Sequence, residues 1–260
     1  MFLPQLLAKS AKGEKLVALT CYDASFAQLM VRCGIDILLV GDSLGMTIQG
    51  HATTLPVTLE HMLYHTEAVA RGAGGAAFVL ADLPFGSYQA SPEQAFAAST
   101  RLLAAGANMV KLEGGGVFAP TVRFLVERGV PVCGHLGLLP QSVNRTGYAP
   151  QGRDVTSATR LLQDAEALMQ AGAQLMVLES IPSVLAEEIT QRLDIPTIGI
   201  GAGPYCNGQV LVLQDLLGLT PKPPRFARDF LTGALSVEEA LVNYARAVRE
   251  GTFPGPEHCI

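Results

Sequence analysis

The chain has 260 residues, of which 49% are hydrophobic and only 16% charged, with 18 basic against 23 acidic side chains and a net charge of −5. Average soluble domains carry about 25% charged residues, so this chain can fill a large core but has little charge to spread over a monomer's surface. The apolar surplus excludes disorder, the lack of basic excess argues against nucleic acid, and apolar runs of five to eight residues fall far short of the about 18 a membrane span needs.

The first local signal is an apolar patch from Phe2 to Ala8. No basic segment precedes it and no cleavage pattern follows, so it does not read as a signal peptide. Leu16–Thr20 reads as a first strand, ending in Cys21-Tyr-Asp23. Gly34-Ile-Asp-Ile-Leu-Leu-Val-Gly-Asp42 puts a second strand after a glycine suited to a helix C-terminus, and ends it on a carboxylate. Ala77–Ala81 runs to Asp82. Ser91-Pro-Glu-Gln94 is a capping box with proline at the first helical position, and its helix closes at Gly106. Gly106-Ala-Asn-Met-Val-Lys-Leu-Glu113 repeats the order glycine, strand, carboxylate. A helix from Pro120 to Arg128 closes at Gly129, and the strand Pro131–Gly134 ends at His135. A helix from Thr156 to Ala171 leads into a third copy, Gly172-Ala-Gln-Leu-Met-Val-Leu-Glu179. Pro196–Ile200 ends in Gly201-Ala-Gly203, Gln209–Leu213 is an eighth strand, and Ser236-Val-Glu-Glu239 caps a last helix ending near Gly251.

The three glycine-led segments are 72 and 66 residues apart, about two βα units each. Their apolar runs do not alternate with polar residues, as expected of parallel strands covered on both faces. Eight strands give about 32 residues per unit, which predicts a single (β/α)8 barrel domain over residues 1–260. An open doubly wound sheet is the alternative, but no G-x-G-x-x-G follows the first strand. Five scattered cysteines (21, 33, 133, 206 and 259) without a C-x-x-C predict reduced, mostly buried thiols of a cytoplasmic protein, with no zinc site and no disulfide framework.

Barrel active sites lie at the C-terminal strand ends, and the scarce charges of this chain fall there. Asp42, Asp82, Lys111, Glu113, His135 and Glu179 all sit at or near a predicted strand end. A polar loop start accounts equally well for any one of them, but less well for the set. Asp42 and Asp82, without Cys or clustered His, suit a hard cation such as Mg²⁺, with Glu113 on one of its waters. Lys111 and Glu113 alternate along one strand and so share a face, which puts an acid and a base side by side near the metal if that face is the barrel interior; an internal salt bridge at the mouth is the alternative. Glu179, at the end of an apolar strand, is the candidate base if burial raises its pKa; capping the next helix is its other role. Three weaker signals remain. Gly199-Ile-Gly-Ala-Gly203 is either a phosphate cradle or a tight turn. Cys133 and His135 are either a thiol–imidazole pair or structural. Leu138–Arg153 is a 16-residue stretch that reads as a lid, a disordered loop or a subunit contact.

Together these residues resemble the ketopantoate hydroxymethyltransferase family. The likeness is carried by Leu19-Thr-Cys-Tyr-Asp23, Val40-Gly-Asp-Ser-Leu-Gly-Met46, Met62-Leu-Tyr-His65, Ala81-Asp-Leu-Pro-Phe-Gly-Ser-Tyr88, Val110-Lys-Leu-Glu-Gly114, Gly134-His-Leu-Gly137 through Pro140-Gln-Ser-Val143, Leu178-Glu179, and Gly199–Gly203 through Gly208-Gln-Val-Leu-Val212. The resemblance implies a barrel of the phosphoenolpyruvate mutase/isocitrate lyase type. It implies Mg²⁺, and 5,10-methylenetetrahydrofolate as one-carbon donor to 3-methyl-2-oxobutanoate. It implies Asp42 and Asp82 as metal ligands, Glu113 as a third through water, and Glu179 as proton acceptor. Asp42, Ser43, Asp82 and Lys111 are implied to bind substrate, Ser43 and Lys111 at its carboxylate; His135 is a possible accessory group. The chain departs from the family at Asn207, often Asp, and Gln214, often His, which puts a loop or cofactor contact in doubt.

Two other functions fit the same residues less well. A Mg²⁺-dependent 2-oxo acid lyase or mutase of the isocitrate lyase type carries K-K-C-G-H, whereas Val130-Pro-Val132 precedes Cys133-Gly-His135 here. A non-catalytic metabolite-binding barrel does not need all six ionisable groups. The low charge fraction predicts subunit interfaces, and the resemblance implies a homodecamer.

Overall fold

A computed structural model describes all residues, 1–260. Helix α1 (Leu3–Ala11) precedes the strands β1 (Leu16–Thr20), β2 (Ile37–Val40), β3 (Phe78–Asp82), β4 (Met109–Glu113), β5 (Val132–Gly137), β6 (Leu175–Glu179), β7 (Thr197–Ile200) and β8 (Gly208–Leu211). The strands pair in sequence order, all parallel, and β8 closes onto β1. Around them lie α2 (Ala24–Arg32), the short α3 (Leu44–Thr47), α4 (Leu59–Ala73), α5 (Pro92–Ala104), α6 (Ala119–Val126), the short α7 (Val143–Thr146), α8 (Val155–Gln170), α9 (Ser183–Arg192), the short α10 (Leu213–Leu216) and α11 (Val237–Arg249). No helix is long and apolar enough to cross a membrane, and all five cysteines are free.

Side chains alternate inward and outward along each strand. Ala18, Leu39, Leu80, Met109, Val177 and Val210 fill the barrel interior, while Leu19, Leu38, Val79, Val110, Leu178 and Leu211 pack under the helices. The apolar patch at Phe2–Ala8 forms α1, and its Leu6, fully buried, joins the interior cluster with Leu16. The sequence reading missed this helix. The capping signals are half right: Ser91 Oγ accepts the Gln94 N–H at 3.1 Å, but the Gln94 side chain reaches the N–H of Ala90, not of Ser91.

One of the eight units lacks its helix. Residues 201–207 join β7 to β8 directly. Seven extended residues reach about 24 Å, enough to run back along a four-residue strand of about 13 Å. This return explains the glycines: a Cβ at Gly199 would stand 3.1 Å from Cys206 Sγ, and at Gly203, with φ +77°, 2.4 Å from Ser183. The glycines of the Gly199–Gly203 segment are thus accounted for by a tight crossover.

The repeated Gly-x-Asp/Asn/Gln has a structural cause. Asp36, Asn108 and Gln174 stand immediately before β2, β4 and β6. Their side-chain oxygens accept the backbone N–H of Val17, Val79 and Val132 at 3.0, 2.8 and 3.1 Å. Their own N–H groups return to the carbonyls of the same residues at 2.9, 2.7 and 2.9 Å. Asn207, before β8, repeats the side-chain bond to Thr197 N–H at 2.9 Å. Each even strand is thus clamped to the odd strand before it at the base of the barrel. The departure at Asn207 lies here, away from the strand ends that carry the chemistry. Asp36 does more: it meets Lys9 of α1 at 2.5 Å and Arg249 of α11 at 3.4 Å, tying both ends of the chain to β1.

Removing one clamp leaves a strand N–H without its acceptor, which costs about 1–3 kcal/mol. Asn108→Ala is therefore expected to lower unfolding stability by about that amount in urea titration, and Asn108→Asp, which keeps the acceptor, by less. Equal losses in the two variants would show that the acceptor oxygen is not what matters.

Candidate active site

The upper ends of β2 to β6 bring the six predicted groups together. Asp42, Asp82, Lys111, Glu113 and His135 are buried, and the Glu179 side chain keeps 15% of its surface open. Strand register selects the neighbours. Asp82 pairs with Lys111, and Glu113 with His135, as direct partners on adjacent strands. The expected Lys111–Glu113 salt bridge is therefore replaced by two others. The Lys111 ammonium lies 3.0 Å from Asp82 Oδ1. His135 Nδ1 lies 3.5 Å from Glu113 Oε1, and its Nε2 lies 3.1 Å from Glu179 Oε2. The Lys111–Asp82 and His135–Glu179 contacts lack the alignment of a hydrogen bond, so Asp82 Oδ1 has a charged neighbour but no donor.

Four carboxylates thus face two cationic side chains. Burial, then the charges of Asp82 and Glu113, push the Asp42 carboxyl well above the ordinary range. Burial also raises Asp82, although Lys111 pulls the other way. Burial works against a charged Lys111, but the three surrounding carboxylates outweigh it and hold it as an ammonium. Burial and Lys111 likewise oppose a charged His135, yet Glu113 and Glu179 on its two sides raise it to about 9. No three carboxylate, imidazole or thiol groups converge as a ready-made cage. Mg²⁺ does not require one; it takes one or two carboxylates and keeps waters. Four carboxylates, two of them raised by burial, are set against two cationic side chains, and this set fits such an ion.

The strand β5 runs three residues beyond its predicted end, so His135 stands within it and points inward. Cys133, one layer below, belongs to the apolar interior, and burial pushes its thiol up to about 12. The thiol–imidazole pair is thus not formed. Ser43, at the start of α3, shares a hydrogen bond of 2.8 Å with the Tyr22 hydroxyl. Glu179 caps no helix, since the first residues of α9 lack a side-chain cap. It is followed by Ser180, the one non-glycine residue with positive φ, +50°. Gln214, the other departure, follows β8 on α10, with its Oε1 buried and unpartnered.

Two residues escaped the sequence reading. Gln141 donates its side-chain amide to Asp42 Oδ2 at 2.9 Å and its backbone N–H to Glu113 Oε2 at 2.9 Å. Tyr88 donates to Gln141 Oε1 at 2.8 Å. Both fall in stretches that carry the family resemblance, which was their only signal. Gln141 opens the segment 138–153, which is anchored rather than loose: it holds α7, and the Gln151 N–H donates to Ser180 O at 3.0 Å. Tyr148 on this segment is half exposed, with its hydroxyl 3.9 Å from Met46 Sδ on α3.

A family model described as ketopantoate hydroxymethyltransferase matches residues 1–256. A 3-methyl-2-oxobutanoate hydroxymethyltransferase of Thiobacillus denitrificans is 59% identical over 257 residues, 98% of each chain. Among solved structures, a 2,3-dimethylmalate lyase described as a PEP mutase/isocitrate lyase superfamily member aligns with a TM-score of 0.58 at 17% identity, over 80% of this chain and 77% of that one. A phosphonopyruvate hydrolase in complex with oxalate and Mg²⁺ aligns with a TM-score of 0.63 at 14% identity, over 96% and 98%. These two likenesses are those of a shared fold.

The raised pKa of His135 makes a signed prediction. A group raised on folding stabilises fully below its unfolded value, about 6.5, and loses that contribution as pH rises through about 9. In chelator, His135→Gln is expected to melt below the wild-type chain at pH 6, and the gap should close by pH 10. A gap independent of pH would mean that the imidazole is not charged between the two carboxylates.

Proposed function

The chain belongs to the ketopantoate hydroxymethyltransferase family, and on that footing we propose that it transfers a hydroxymethyl group from 5,10-methylenetetrahydrofolate to 3-methyl-2-oxobutanoate, giving 2-dehydropantoate. The observation that carries the reading is the placing of Glu179. It is the most open carboxylate of the set, it faces the barrel mouth, and His135 holds it at 3.1 Å. A base must be both accessible to a C–H proton and restrained in direction. At the end of its apolar strand Glu179 keeps an imidazole contact and a partly open face.

Asp42 and Asp82 would hold Mg²⁺, with Glu113 reaching it through water. Bound there, the ion would supply the charge that polarises the keto oxygen of a 2-oxo acid and stabilises its enolate. The solved relative with oxalate and Mg²⁺ supports the choice of ion. Lys111 is an ammonium already beside Asp82, and a substrate carboxylate entering the mouth gains a point-charge contact from it. Ser43 offers its hydroxyl to the same carboxylate, oriented by Tyr22. Glu179 takes the proton from C3 of 3-methyl-2-oxobutanoate. The carbanion carbon then attacks the methylene carbon, whose bond to one folate nitrogen breaks. Water displaces the second folate nitrogen and leaves the hydroxyl. The proton taken by Glu179 and one from water go to the two nitrogens, releasing tetrahydrofolate. His135, charged by its two carboxylate neighbours, keeps Glu179 aimed until the proton is taken. The whole of residues 1–260 serves as one barrel domain in this reading.

Incubation with 3-methyl-2-oxobutanoate, Mg²⁺ and methylenetetrahydrofolate is expected to yield 2-dehydropantoate, and EDTA to stop it; no product would sink the proposal. Glu179→Gln is expected to cut C3–H exchange of 3-methyl-2-oxobutanoate in deuterated water by about 10²–10⁴-fold while divalent-ion binding survives. Unchanged exchange would remove Glu179 as the base.

We also propose a homo-oligomer, a decamer by family resemblance. Phe2, Tyr64, Val117, Val155, Val184 and Leu235 are large apolar side chains left open on the single chain, Leu235 at 95%. Multi-angle light scattering at micromolar concentration should give a mass well above 27.4 kDa. A monomer there would refute the oligomer and leave the chemistry untouched.

A further inference from the structure

Gln141 stands outside every role given so far, yet it touches two of the three carboxylates assigned to the cation. It lies four residues beyond β5, on a 3₁₀ turn (Pro140–Ser142) that folds the chain back over the barrel mouth. The side chain is buried, and all of its hydrogen-bonding capacity is spent. Nε2 donates to Asp42 Oδ2 and to the Leu83 carbonyl, each at 2.9 Å. Oε1 accepts from the Tyr88 hydroxyl at 2.8 Å and from Gln89 Nε2 at 3.3 Å. The backbone N–H donates to Glu113 Oε2 at 2.9 Å.

These partners fix which way the amide faces. The Leu83 carbonyl can only accept, so a flipped amide would set oxygen against oxygen there. On the other side, the Tyr88 hydroxyl accepts the Glu113 N–H at 3.1 Å and has its one proton for Gln141 Oε1 at 2.8 Å or the Glu113 carbonyl at 3.0 Å. The consequence is a division of oxygens. Asp42 Oδ2 and Glu113 Oε2 are taken by Gln141, and Glu113 Oε1 faces His135. Asp42 Oδ1 remains to meet a cation, beside Asp82 Oδ1, which the Lys111 ammonium approaches at 3.0 Å. A neutral amide makes this division without adding charge; a Lys or Arg would have cancelled the negative surplus the ion needs.

We propose that Gln141 is a positioning residue for the divalent cation: it turns one chosen oxygen of Asp42 toward the ion and holds Glu113 back to bind it through water. This rests on the cation site proposed above and adds the residue that sets its geometry. Outer-shell partners of metal ligands typically cost about 10–100-fold in affinity when lost.

The test is Mn²⁺ binding to the full-length chain without substrate, read from the paramagnetic resonance signal of the free ion. Gln141→Met keeps the length of the side chain but has no N–H, and should weaken Mn²⁺ binding about 10–100-fold. The same variant should raise the Mg²⁺ concentration for half-maximal activity more than it lowers kcat. Tyr88→Phe frees Oε1 and should weaken Mn²⁺ binding less. The double variant should bind no worse than Gln141→Met if Tyr88 acts through the amide; weaker binding would overturn the amide as its route, because the Tyr88 hydroxyl also bonds the Glu113 backbone. If Gln141→Met does not fold, Tyr88→Phe alone decides. A wild-type chain that binds no Mn²⁺ overturns the cation site itself. Wild-type binding with unchanged affinity in Gln141→Met, or in Tyr88→Phe when only that variant folds, overturns the role of Gln141 alone.

Discussion

Strand register is the constraint on which this molecule depends. In a closed parallel barrel the side-chain period of two sends every second residue inward, and a slip of one residue would turn each set to the other layer. Asp82 would then leave Lys111, and Glu113 would leave His135, since both pairs are direct register partners. The clamps at the base oppose such a slip. Asp36, Asn108, Gln174 and Asn207 each fix one strand against its neighbour with a side-chain acceptor that a shifted strand could not reach. The lower end of the barrel thus sets the geometry of the upper end through four short hydrogen-bonded brackets.

The interior then rises from apolar to ionic in a single step. Leu80, Met109, Cys133 and Val177 lie in a dry layer, and the carboxylates stand directly above it. Burial there penalises every charge, so the groups survive only as a mutually compensating set. The compensation is incomplete by design of the residue types: Lys111 and His135 cannot balance four acids. Burial first, and then the charges of Asp82 and Glu113, raise the Asp42 carboxyl, and a divalent ion would offset both.

Much of this was legible in the sequence because it is periodic. Three glycine-led segments ending in Asp42, Glu113 and Glu179 are β2, β4 and β6, so the repeat announced both the barrel and its acidic rim. The same segments also contained the clamps, but Asp36, Asn108 and Gln174 differ in type, and only their shared hydrogen-bonded position reveals one role. Helix α1 was missed because a short apolar patch does not say what it covers. The missing helix between β7 and β8 was hidden because glycine and proline mark many kinds of turn. Gln141 left no signal of its own, since a glutamine in a polar loop looks like solvent-facing surface until the 3₁₀ turn buries it.

Glu179 joins two demands that usually conflict. A base needs an open approach, and openness ordinarily brings mobility. Here β6 fixes the backbone through Glu179, and Ser180 immediately leaves the strand in the left-handed region, where a side chain costs about 1–3 kcal/mol of strain. That conformation is held from both sides: the Ser180 N–H donates to Ile200 O at 2.9 Å, and its carbonyl accepts from Gln151 N–H at 3.0 Å. The second bond reaches the far end of the segment that Gln141 begins. One stretch of chain therefore braces the base at one end and the carboxylates at the other. Glu179, proposed as the base, and the carboxylates proposed to hold the ion are thus tied to the same loop, although they stand on different strands.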